Sequence, residues 1–147
     1  MNKTAIKNKL IQMQQCLIQE FEEKMNLTHT MVDMDEEDVR EPEDFSHQYE
    51  AGEMEHLFRI QLNRAKGKLQ EIESISTEPA SAVDKGAVVE TDLRNFIVGH
   101  STVPFWVKGK EFVGISKSAP IYAVMAGKCK GETFSFCGVD YQINNIY

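Results

Sequence analysis

The residues best suited to chemistry lie in one short acidic stretch. Between positions 33 and 44, Asp33, Asp35, Glu36, Glu37, Asp38, Glu41, Glu43 and Asp44 stand against a single Arg40. Their net charge of −7 equals the formal charge of the whole 147-residue chain. The C-terminal part is balanced, with 7 acidic and 7 basic side chains in residues 77–147. Clustered carboxylates offer hard oxygen ligands to a divalent cation such as Mg²⁺, or a docking charge to a basic surface. They have the wrong sign for a general nucleic-acid binder, which needs cations against phosphates. Asp38 and Glu41 are three apart and share one face wherever the backbone is helical. A plain solvated turn is the competing reading of such a charge run.

Other reactive residue types form no comparable constellation. His29, His47, His56 and His100 are scattered, and His47 and His56 are nine apart, a poor ligand spacing. They read as structural or surface residues. Cys16, Cys129 and Cys137 make neither a disulfide framework nor a zinc pattern. They are expected as buried or half-buried thiols in a reducing cytosol. No Gly-rich phosphate loop is present. The Met residues read as adaptable core filling. Trp106, with Phe105 and Phe112, belongs either to a core or to the exposed edge of a docking surface. No apolar run is long enough to cross a bilayer, and the N-terminus lacks the pattern of a secretory signal. The expectation is a cytoplasmic protein without membrane contact.

Two elements must position the acidic stretch. Ile6, Leu10, Met13, Leu17, Phe21 and Met25 recur at three- and four-residue steps, which predicts a helix over 3–32. Met54, Phe58, Leu62, Ala65, Leu69, Ile72 and Ile75 predict a second over 45–75. Each has one narrow apolar stripe, so the pair is expected to pack antiparallel as a coiled coil over 1–76. The acidic stretch, near 35–44, becomes its tip, and Pro42 supports a helix start there. About thirty helical residues make an arm roughly 45 Å long.

Residues 77–85 read as a linker, being small and polar with Pro79. From 86 to 147 the pattern changes to short β-rich runs: Ala87–Thr91, Asn95–Gly99, Phe105–Val107, Phe112–Ser116, Thr133–Cys137 and Tyr141–Tyr147. Ala119–Ala126 reads as a short helix, capped by Ser118, with Pro120 in its first turn and Gly127 at its end. The fold class is therefore α+β: a helical hairpin, then a small antiparallel β domain with one short helix.

Two motifs resemble the Gre family of bacterial transcript-cleavage factors (GreA/GreB). Asp38-Val39-Arg40-Glu41 followed by Phe45 is similar to the family's Asp-Leu-Lys-Glu tip and its aromatic residue. Gly114-Ile115-Ser116-Lys117-Ser118-Ala119-Pro120, then Gly127-Lys128 and Gly131-Glu132, resembles the family's C-terminal signature. The resemblance implies an FKBP-like C-terminal domain that docks on the rim of RNA polymerase's secondary channel, with Ser116, Ser118 and Pro120 at the docking surface. It implies that the arm enters the channel. There Asp38 and Glu41 hold a Mg²⁺ shared with the polymerase, which cleaves backtracked RNA by two-metal hydrolysis. Phe45 supports the tip, and Arg40 either orients the phosphate or balances charge. On this reading the protein is a monomer with no enzymatic activity of its own, and meets RNA and DNA only within the elongation complex.

Three other readings compete. One is a regulator that occupies the same channel and inhibits without cleavage. Another is a coiled-coil adaptor unrelated to transcription. The last, a free-standing prolyl isomerase, rests on fold analogy alone.

Overall fold

The computed structural model describes residues 3–34 and 42–147, with side chains at 3–30, 46–47 and 49–147. Two long helices come first, α1 (Lys3–Met34) and α2 (Pro42–Glu73). Pro42 opens α2, where its missing N–H removes no intrahelical bond. Six strands and one short helix follow: β1 (Val88–Thr91), β2 (Asn95–Val98), β3 (Phe105–Val107), β4 (Lys110–Ile115), α3 (Pro120–Met125), β5 (Thr133–Phe136) and β6 (Val139–Ile146).

The chain divides into two compact units. One comprises Met1–Lys9 with Ser74–Tyr147, and the other Leu10–Glu73. The first turns of α1 thus belong with the sheet. Lys3 Nζ donates to the Glu78 carbonyl and Lys7 Nζ to that of Ile75, both at 2.9 Å. Burial of its ammonium lowers the Lys3 pKa, and the nearby Glu78 charge partly offsets this.

The hairpin unit buries Leu10, Gln14 and Thr28 from α1 and Leu62, Ala65 and Ile72 from α2. Gln14 Nε2 donates to the Ala65 carbonyl at 2.9 Å, and Lys66 pairs with Glu22 at 2.9 Å. A buried polar group at a helical seam favours one register over its neighbours. The expected stripe is only partly covered: Leu17 and Met54 are exposed. Gly52 and Gly67 lie inside α2 with open space where a Cβ would be. Each weakens the helix by about 1 kcal/mol relative to Ala.

In the other unit the strands form one sheet in the order β3-β4-β2-β1-β6-β5. Four pairings are antiparallel, but β2 and β4 run parallel, with Phe96 opposite Val113 and Ile97 opposite Gly114. The expected antiparallel sheet is therefore mixed. The reason is local. The chain leaves β2, skips one strand position and returns as β3. It then turns at Lys108 and Gly109, both with positive φ, so that β4 slots in beside β2. The 100–102 loop crosses close over β4 at Gly114. Thr102 N–H donates to the Gly114 carbonyl at 3.2 Å, and Gly114 N–H to Thr102 Oγ1 at 2.9 Å. A Cβ at Gly114 would collide with the His100 carbonyl oxygen.

One face of the sheet holds a core of Val83, Ala87, Val89, Phe96, Val98, Ile115, Met125, Phe134 and Ile143. Val88, Ile97, Phe105, Val107 and Phe112, whose registers place them on the opposite face, are buried as well. Ile6 and Ile75, in the same unit, are also buried. The segment read as a linker is tied in at its end. Val83 N–H donates to Lys128 O, and Val83 O accepts from Gly127 N–H, both at 2.9 Å. Among the described residues, no helix is long and apolar enough to cross a membrane.

Candidate functional site

The candidate residues fall at two places in the chain, the segment that joins α1 to α2 and the loop between β4 and α3. Asp38, Arg40 and Glu41 lie outside the described residues. Phe45 falls in the first turn of α2, and its side chain lies outside the description as well. The donor types at the tip suit Mg²⁺, which takes oxygen ligands and needs only one or two protein carboxylates. Among the described residues, no group of three or more His, Cys, Asp or Glu side chains could hold a metal.

The β4–α3 loop is described in full. Ile115 anchors it in the core. Ser116 is half-buried, while Lys117, Ser118 and Pro120 are exposed. Ser118 does not cap α3, contrary to the sequence expectation. The N-cap is Ala119, which makes no side-chain cap bond. The Ser118 hydroxyl instead meets that of Ser116 at 2.9 Å, and Ala119 N–H donates back to Ser116 O at 3.1 Å. Ala119, which stands between Ser118 and Pro120, takes the capping position and leaves the serine pair to close the turn. Pro120 opens the helix, with φ pre-set for it. Gly127, at φ +73, follows its end.

A residue with no sequence signal holds this loop. Asp84 Oδ1 accepts from Lys117 Nζ at 2.9 Å, from Lys85 N–H at 2.6 Å and from Tyr122 OH at 3.3 Å. Lys117 Nζ also stands 5.8 Å from the Tyr122 ring centroid. The Lys117 bond and the Lys85 amide hold the Asp84 carboxyl below its ordinary range, and the same carboxylate raises the Lys117 ammonium. Asp84 is exposed, so its pairing orients the loop more than it stabilises the fold. It lies within the segment read as a linker, where small polar residues carry no periodicity.

The other conspicuous residues are now placed. Trp106 is 63% exposed on edge strand β3, pairing with Glu111, while its neighbours Phe105 and Val107 point inward. The sequence had left both positions for Trp106 open. All three cysteines are exposed, a correction to the buried thiols expected. Cys137 turns outward because it occupies the β5–β6 turn with φ +52, next to Gly138 at φ +77. His100 is buried, whereas His29, His47 and His56 are on the surface.

No protein-family model matches the chain, and no characterised relative matches it in sequence. Two solved structures are similar in the course of the chain. One is described as the transcription factor Gfh1. It is 13% identical with a TM-score of 0.36, and the match covers 93% of this chain and 92% of that one. The other is described as GreA factor homolog 1 (Gfh1) of Thermus thermophilus. It too is 13% identical with a TM-score of 0.36, over 93% of this chain and 94% of its own. A likeness this distant gives no residue a role.

Proposed function

We propose that this chain is a transcription factor that binds RNA polymerase, reaches into its secondary channel with the hairpin tip and stimulates cleavage of backtracked RNA. The observation that carries the reading is the position of the charge. Two paired helices are joined through the stretch that contains the whole excess of −7. A narrow helical pair has little core of its own, and it suits delivery of charge to a recessed site. The second support is the Gly114–Pro120 motif, which forms an ordered loop with Lys117, Ser118 and Pro120 on its outer side. Ser116, Ser118 and Pro120 form the polymerase-facing part of that loop, and Asp84 orients it through Lys117.

Asp38 and Glu41 are the carboxylates that hold Mg²⁺ jointly with the polymerase, and Arg40 and Phe45 support them. The ion supplies activation of the attacking water and stabilisation of the leaving oxygen. The protein needs no activity of its own, because the cleavage is the polymerase's own reaction.

The test is to mix the purified chain with stalled, backtracked elongation complexes and Mg²⁺ and to follow both co-migration and RNA shortening. Co-migration with faster shortening is the expected result. Co-migration without shortening would replace the cleavage role with that of a channel-occupying regulator. Absence of co-migration would remove the polymerase from the account.

A further inference from the structure

We propose that the N-terminal half of α2 carries a docking face for a basic amphipathic helix of a partner protein. Tyr49, Gly52, Glu53, His56 and Leu57 line a shallow depression within the hairpin unit. Their three- and four-residue steps put them along one side of the helix. Tyr49 is 69% and Leu57 59% exposed. Apolar side chains gathered on an open surface in this way mark a contact site.

Gly52 is an independent observation. Among the described residues, nothing outside the helix's own neighbouring backbone lies within 4 Å of where its Cβ would be. Packing among the described residues therefore does not account for a glycine that weakens the helix. A bare position on a helix does let a second backbone approach closely. Gly67 is a built-in comparison: the space around it is equally open, but its neighbours one turn away, Asn63, Arg64, Gln70 and Glu71, are polar.

Charge selects the occupant. Residues 46–59 contain Glu50, Glu53 and Glu55 against one cation, Arg59, which pairs with Glu55 at 2.6 Å and leaves Glu50 and Glu53 as the excess negative charge. A second copy of the chain would set the same carboxylates against them, and a nucleic acid would be repelled. A helix with an apolar stripe flanked by Lys or Arg meets both requirements. Its stripe covers Tyr49 and Leu57, its backbone settles over Gly52, and its cations face Glu50 and Glu53. This inference does not rest on the polymerase reading, and its test uses no polymerase, so the two fail separately.

The probe is a labelled synthetic peptide of about eighteen residues, five helical turns, with Leu on one face and Lys on the other. Its binding to the full chain is followed by fluorescence anisotropy at physiological ionic strength. Saturable binding is expected, and a scrambled peptide of the same composition should bind at least about tenfold more weakly. Gly52→Gln and the double variant Tyr49→Ser/Leu57→Ser should each weaken binding by about tenfold. Gly67→Gln should leave it unchanged, with circular dichroism confirming that every variant is helical. No binding, equal binding of the scrambled peptide, or unchanged binding by both Gly52→Gln and the double variant would overturn the proposal.

Discussion

The sheet unit and the hairpin unit solve the burial problem differently. The sheet buries residues on both faces, with Phe96, Val98 and Ile115 on one and Ile97, Phe105 and Phe112 on the other. The hairpin buries a narrow seam and leaves Leu27, Tyr49, Met54 and Leu57 open to solvent. The sheet unit also leaves Leu93, Val103 and Trp106 open, in its connecting loops and on edge strand β3. Unbalanced charge is what sets the hairpin apart, because the stretch 33–44 carries the whole excess of −7 while residues 77–147 are balanced. Surplus of that kind marks where another molecule is expected, so the hairpin is read as the working part and the sheet as its support.

The largest effect expected from this contrast is in the sheet. Phe112→Ala removes a fully buried ring and should destabilise by about 3–5 kcal/mol in chemical denaturation. Leu62→Ala, in the hairpin seam, should fall at the low end of the usual range, about 2–3 kcal/mol, because a two-helix seam collapses readily. Calorimetry sharpens the contrast: the two variants should shift different portions of the transition, since the residues lie in different compact units. Identical shifts of a single transition would break it.

Gly114→Ala should destabilise the sheet unit by about 1–3 kcal/mol, because the new Cβ meets the His100 carbonyl and Thr102. A neutral result would show that the 100–102 loop can move away. Gly67→Ala should have the opposite sign, with a gain of up to about 1 kcal/mol, as open space receives the methyl group.

The smallest effect is that of pH on the β4–α3 loop. Asp84 has a lowered pKa, so its contribution is present above the unfolded value of about 3.9 and is lost as pH falls through the lower folded value. Lys117 has a raised pKa. Its contribution is complete below about 10.4 and is lost as pH rises through the higher folded value. Protection of the Ala119 amide, bonded to Ser116 O, relative to its intrinsic exchange rate should fall outside those limits, and Asp84→Asn should reproduce the acid limb at neutral pH. Exchange in Asp84→Asn equal to that of the parent chain would remove Asp84 from its orienting role.

Much of the architecture was legible in the residues. Both long helices follow from their apolar stripes, and all six strands lie where β-rich runs are punctuated by glycine. Strand pairing was less so. The parallel match of β2 with β4 depends on a loop crossing at Gly114, and alternation within a strand says nothing about such a crossing. The role of Ser118 was misread because Ala119 takes the N-cap position. The cysteines were misplaced because their type suggests burial while their positions, a tight turn at Cys137 among them, turn them outward. Asp84 was not legible, since its partners Lys117 and Tyr122 lie more than thirty positions away. For the candidate site, the tip carboxylates stand out by charge alone, and Asp38 and Glu41 are singled out by their likeness to a family motif.

The most direct test of the central claim compares the parent chain with the Asp38→Ala/Glu41→Ala variant on backtracked elongation complexes, measuring binding and RNA cleavage in the same reactions. The account predicts that the variant co-migrates with the polymerase as the parent does but no longer accelerates cleavage. Cleavage at the parent rate in the double variant would contradict it.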